Sequence, residues 1–154
     1  MKISDSIEHF IREMFDEKNS IELKRNELAQ YFNCVPSQIN YVLSTRFTPV
    51  QGYMVETRRG GGGYVRIVSL QLDEDDDLQD ALTDAVGSRM TQSDCEGLMA
   101  YLYQQGIITQ REMLLFNSML KDRVMAGIEK NQRDTVRATM MQQVLAMLNM
   151  MRHS

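Results

Sequence analysis

Hydrophobic residues near the start of the chain recur at helical intervals. Ile3, Ile7, Phe10, Ile11, Met14 and Phe15 share one side, with Asp5, Glu8, Glu13 and Asp16 between them. This spacing predicts an amphipathic first helix of about four turns, ended by Asn19-Ser20. Ile21-Glu22-Leu23 reads as a short extended piece. A second stripe, Leu28, Ala29 and Phe32, lies within KRNELAQYF (24–32) and stops at Asn33-Cys34-Val35. Pro36 suits the first position of a helix, where its missing N–H is not needed. In PSQINYVLSTRF (36–47), Ile39, Val42 and Leu43 form the inward stripe.

The period then changes. In QGYMVETRR (51–59), Tyr53 and Val55 alternate with Met54 and Glu56. In GYVRIVSLQL (63–72), Val65, Ile67 and Ser69 alternate with Tyr64, Arg66 and Val68. Alternation in β-branched and aromatic residues predicts two strands, and the glycine run between them predicts a hairpin with a flexible tip. Two helices joined by a short turn and followed by a hairpin make a winged helix-turn-helix.

DEDDDL (73–78) opens with five consecutive acids. Such a block repels itself and stays solvated, and acids also suit a helix start. The border is therefore placed near residue 72, with a winged helix-turn-helix over 1–72 and a helical domain over 73–154. In the second part Leu78, Leu82, Ala85, Val86 and Met90 share a face. SDCE (Ser93 to Glu96) has the spacing of a capping box and opens a helix that ends at Gly106. TQRE (Thr109 to Glu112) is a second box, opening MLLFNSMLKDRVM. The last element starts near Asp134 and carries Val136, Met140, Met141, Val144, Leu145, Met147, Leu148 and Met151. The expected fold is mainly α, with about four helices in the second domain. Its methionines read as adaptable core or subunit interface. The last helix holds more apolar positions than so small a bundle needs, which predicts a homodimer.

Composition narrows the function. The chain has 43% hydrophobic and 25% charged residues, as in ordinary soluble proteins. No apolar run approaches the roughly 18 residues of a membrane span. MKISDSIEHF has one lysine and then acids, so it is not a signal peptide, and a cytoplasmic protein is expected. Cys34 and Cys95 have no CxxC spacing and read as reduced structural thiols. His9 and His153 have no ligand partners at metal-site spacing, and no GxSxG or HExxH occurs. No metal, cofactor or enzymatic activity is expected.

Net charge is −4, but its distribution matters more. Residues 1–70 hold nine Lys/Arg against eight acids, whereas 71–154 hold eight against thirteen. No acid occurs between Glu27 and Glu56. The outer face of 36–47 carries Ser37, Gln38, Asn40, Tyr41, Ser44, Thr45 and Arg46 in place of the usual Lys and Glu. Asn and Gln pair with adenine, Arg with guanine, and hydroxyls with phosphate. This is the face expected of a recognition helix.

The glycine run lies in RRGGGGYVRI (58–67). A nucleotide-binding P-loop needs a following Lys-Ser or Lys-Thr and a helix, and a KH-type GxxG loop joins helices. Neither context is present. A hairpin closes with two turn residues, and each ordered glycine loses about 0.5–1 kcal/mol against alanine. Four glycines beside Arg58 and Arg59 point to backbone passing close to something narrow and anionic, such as an A·T minor groove.

CVPSQINYVLSTRF (34–47) with GYMVETRRGGGGYVRI (52–67) resembles the signature of the CtsR family, the class three stress gene repressors of low-GC Gram-positive bacteria. The resemblance implies a homodimeric winged helix-turn-helix repressor with a C-terminal helical dimerisation domain. Such proteins silence heat-shock operons encoding Clp protease and chaperones at direct-repeat heptamer operators in double-stranded DNA. It places Ser37, Gln38, Asn40, Tyr41, Thr45 and Arg46 in the major groove. It places the wing, Arg58, Arg59, Gly60, Gly61, Gly62, Gly63 and Tyr64, in the minor groove. It further implies release by heat, a protein arginine kinase as partner with Arg59 as the phosphoarginine candidate, and degradation by the Clp machinery. The family more often carries lysine where Arg58 stands, which makes Arg58 a second candidate. Two rival readings are a non-specific nucleic-acid module and an interaction adaptor whose helical half binds a Clp-type partner.

Overall fold

Residues 2–57, 63–70 and 86–152 are described by the structure, a computed structural model. The first hydrophobic stripe forms α1 (Ile3–Phe15), whose Ile7 and Ile11 are fully buried. The helix ends earlier than Asn19-Ser20, because Asp16 and Glu17 take positive φ of 25° and 71°. Lys18 and Asn19 offer no apolar side chain to extend the stripe, so nothing holds another turn against the core.

Ile21-Glu22-Leu23 lies inside a full strand, β1 (Ser20–Lys24), with Ile21 and Leu23 buried and Glu22 exposed. α2 (Arg25–Tyr31) follows at once and buries Leu28 and Ala29. Asn33, at φ 54°, makes the turn, and the Cys34 N–H donates to the Ala29 carbonyl at 2.9 Å. α3 (Pro36–Arg46) has proline in its first turn and buries Ile39, Val42 and Leu43. No side chain caps this helix start; Pro36 leaves one fewer orphan N–H to satisfy.

A 3-10 turn, Pro49–Gln51, leads through Gly52 into β2 (Tyr53–Thr57) and β3 (Tyr64–Ser69). The sheet is antiparallel with order β1-β3-β2. The hairpin register runs from Tyr53↔Ser69 to Thr57↔Val65. Ile7, Ile11, Ile39, Val42, Phe47, Val65 and Ile67 form one cluster between the helices and the sheet. That cluster holds α3 with its polar side outward.

By contacts the chain divides into two units, Met1–Gln71 and Leu72–Ser154. In the second, Val86 and Met90 are buried as their stripe predicts; the rest of that stripe, and DEDDDL, lie outside the described residues. α4 (Gln92–Gln104) is capped by Thr91 with Asp94, two residues before the predicted Ser93–Glu96 box. Both tetrads have the right spacing. The earlier one is used because Cys95, Leu98, Met99 and Leu102 are all buried, so the helix must be formed before Cys95. Glu96 instead accepts from Gln92 one turn back.

Gly106, at φ 75°, ends α4, and the Ile107 N–H returns to the Leu102 carbonyl. The Thr109–Glu112 box opens α5 (Gln110–Met119), which stops short of the predicted stretch. α6 (Arg133–Arg152) closes the chain and buries Ala138, Met141, Leu145 and Leu148. Arg137 shares that stripe and is fully buried. Its Nε donates to the Leu120 carbonyl at 2.8 Å, and its Nη1 donates to the Met90 carbonyl at 3.0 Å and to Asp134 Oδ1 at 2.7 Å. Nη2 donates to Asp122. This explains the early stop of α5: a carbonyl just past its end is claimed by a side chain from α6. Among the described residues no helix is long and apolar enough to cross a membrane.

Candidate nucleic-acid interface

α3 shows an outer face with Ser37, Asn40, Ser44 and Thr45 exposed and Tyr41 53% exposed. Several predicted readers already have partners. Gln38 is half-buried, and its Nε2 donates to Ser4 Oγ of α1 at 2.8 Å. Thr45 and Ser44 donate to the Tyr41 carbonyl at 2.7 and 3.1 Å. Asn40 Oδ1 accepts from Arg25 Nη1 at 2.8 Å. Gln38 thus braces α3 against α1, while Ser37, Tyr41 and the Asn40 amide nitrogen remain the outward-facing chemistry.

Arg46 ends α3 and bonds backward. Its Nη1 donates to Asp5 Oδ1 at 3.2 Å and to Glu8 Oε1 at 2.5 Å. Glu8 also accepts from Arg12 Nε at 2.9 Å, and Arg12 Nη1 donates to the Tyr53 hydroxyl at 2.8 Å. The Arg12 guanidinium lies 5.1 Å from the Phe47 ring centroid and 5.4 Å from that of Tyr53. A hydrogen-bonded network therefore runs from the end of α3 through α1 to Tyr53 at the start of β2. A phosphate reaching Arg46 must compete with two carboxylates.

The Arg12 hydrogen bond, aided by Arg46, holds the Glu8 carboxyl below the usual carboxylate range although burial opposes it. The Arg46 guanidinium is held above its ordinary value, chiefly by Glu8 and then Asp5. A depressed carboxyl contributes stability above its unfolded value and loses it as pH falls through the folded one. Acid should therefore weaken the first unit as pH drops below about 4.5. A Glu8→Gln variant should show a flatter decline between pH 5 and 3 in thermal melts (about the carboxylate range). Equal slopes would mean that the network adds nothing.

In the wing, Arg58, Arg59, Gly60, Gly61 and Gly62 lie outside the described residues, and Gly63 and Tyr64 lie within them. Glu56 faces Arg66 across the hairpin, with carboxylate and guanidinium 4.0 Å apart. Gly63 has φ 79°, and a Cβ there would sit 3.0 Å from Arg25 Nε and 3.3 Å from Arg25 Cβ. Glycine is needed at this position for conformation and for space. Gly63→Ala should destabilise the first unit by about 1–2 kcal/mol, the left-handed penalty of an L-residue. Urea unfolding followed by circular dichroism measures it; an unchanged midpoint would mean that the hairpin foot relaxes freely.

The chain matches two family models, the CtsR N-terminal HTH domain over residues 2–71 and the CtsR C-terminal dimerization domain over residues 74–146. It is 39% identical over 148 residues to the transcriptional regulator CtsR of Geobacillus stearothermophilus, covering 95% of this chain and 96% of that one. It is 37% identical to the transcriptional regulator CtsR of Bacillus subtilis, covering 96% and 97%. A crystal structure of CtsR in complex with a 26bp DNA duplex matches with TM-score 0.55 and 38% identity, over 96% of this chain and 99% of that one.

Proposed function

Because this chain belongs to the CtsR family, we propose that it is a sequence-specific DNA-binding transcriptional repressor of stress genes. The observation that carries this reading is the outer face of α3, exposed, rich in amides and hydroxyls, and free of acids. Likeness along nearly the whole chain to a relative in complex with DNA supports it. α3 enters the major groove with Ser37, Asn40 and Tyr41 toward the bases and Thr45 beside them. Gln38 and Arg46 orient the helix from its edges, with Arg46 available to phosphate once it leaves Asp5 and Glu8. The wing, from Arg58 through Tyr64, follows the minor groove.

The protein performs no catalysis; it works by occupying an operator, as a cytoplasmic homodimer. α5 has no buried residue of its own, and Leu114 and Leu115 are 57% and 55% exposed. A second copy covers this face, consistent with a family model described as a dimerization domain. Leu115→Asp should shift the protein toward monomer in light scattering. It should also weaken binding to a two-site duplex far more than to a single site, because the second contact is then no longer intramolecular. An unchanged dimer would place the interface elsewhere.

A kinase that phosphorylates Arg59 would replace a cation aimed at DNA with a negative group. Release would follow, and the freed repressor would pass to Clp-type proteolysis. The test of the main reading is fluorescence anisotropy with a duplex carrying two direct heptamer repeats against a scrambled duplex. Preference for the repeats is expected. Equal weak binding to both would mean a non-specific nucleic-acid module, and no binding would mean an adaptor.

A further inference from the structure

We propose that Arg25 is a positioning residue for DNA recognition, tying the foot of the wing to the middle of α3 and so setting which donors Asn40 presents. The inference rests on the DNA-reading role above. Arg25 is the first residue of α2 and directly follows the last β1–β3 rung, Lys24↔Tyr64. Its backbone N–H donates to the Gly63 carbonyl at 2.9 Å. Its side-chain Nε donates to the same carbonyl at 3.3 Å, and its Nη1 donates to Asn40 Oδ1 at 2.8 Å. One half-buried side chain thus joins the hairpin end to the recognition helix.

The chemistry favours arginine. A guanidinium is a rigid planar fork, so its Nε and Nη1 fix two acceptors at a set angle. A lysine ammonium is a single point on a flexible stem and cannot hold both. Gly63 completes the cradle, because a Cβ there would occupy the space of the Arg25 side chain. With its oxygen held by Arg25, the Asn40 amide turns its N–H₂ group away. That group matches acceptors in the major groove: purine N7, guanine O6 and thymine O4. Arg25 thereby acts on sequence choice through Asn40 and on wing placement through Gly63, without itself touching a base.

The test uses the full-length protein with Arg25→Lys, Asn40→Ala and the double variant. Without DNA, hydrogen exchange should quicken at the amides of residues 25 and 64 in Arg25→Lys. Exchange in α1 and the unfolding midpoint should stay as in wild type. With DNA, Arg25→Lys should reduce discrimination between the direct-repeat and scrambled duplexes by about tenfold. Affinity for the scrambled duplex should hold. The two substitutions should not add, since both break one link. Wild-type exchange and discrimination in Arg25→Lys would overturn the proposal. So would Arg25→Ala lowering affinity for both duplexes equally with a salt slope shallower by about 0.9, the mark of a plain phosphate contact. If the wild type itself failed to discriminate, the repressor reading would fall, and the exchange result alone would then decide whether the tether exists.

Discussion

Replacing Arg137 with alanine is expected to lower the stability of the second unit by about 3 kcal/mol. Two features set that size. The guanidinium is fully buried and satisfies the carbonyls of Leu120 and Met90. Orphaned buried acceptors cost about 1–3 kcal/mol each, and the vacated volume adds a cavity term. The ion pairs contribute less. Asp122 is 58% exposed and Asp134 33% exposed, so either carboxylate left alone stays hydrated. Asp122→Asn keeps an acceptor for Arg137 and leaves Asp134 as its counter-charge, so it should cost less than Arg137→Ala. Arg137→Met, which fills the space but donates nothing, should fall between wild type and Arg137→Ala. Urea unfolding at fixed protein concentration measures all three. A methionine variant as stable as wild type would show that Arg137 acts through volume alone.

Arg59→Ala is expected to weaken operator binding by roughly ten- to hundredfold, the range of about 1–3 kcal/mol for one good contact. The reasoning is electrostatic. Arg59 stands beside the glycine run in a stretch, 41–70, that holds four arginines and one acid. A narrow minor groove draws arginine through its enhanced negative potential. Arg59→Glu should be worse than alanine, because attraction becomes repulsion, and this models the sign of a phosphorylated arginine. Anisotropy at two salt concentrations tests the idea. Unchanged affinity in Arg59→Ala, with loss in Arg58→Ala, would place the contact at Arg58.

Much of this was legible along the chain. Apolar spacing in residues 3–15 and 36–46, alternation in 53–57 and 64–69, and the Thr109–Glu112 box each describe neighbours within a turn or a rung. Local order of this kind is set by residues close in sequence, so periodicity reveals it. The polar outer face of α3 was visible for the same reason. β1 was harder to read. Ile21 and Leu23 alone cannot announce a strand whose partner, β3, lies more than forty residues on. The first capping box of the second unit was ambiguous because two tetrads share one spacing. Arg137 left a faint signal, a charged residue in the stripe of Ala138, Met141, Leu145 and Leu148.

Apolar spacing along the chain thus carried most of the helices and the hairpin, the polar outer face of α3 and the family resemblance. Tertiary structure alone decided which polar groups are spoken for. Arg25 meets Gly63 across 38 positions, Arg46 meets Asp5 across 41, and Arg137 meets Met90 across 47. Each pairing changes the meaning of its residue: a cation that reads along the chain as free charge becomes a brace, a tether or a buried donor. The physical reason is that a hydrogen-bonding side chain takes its role from whichever partner the fold delivers. Hydrophobic spacing tells a helix which side to bury, but not what waits on the other side.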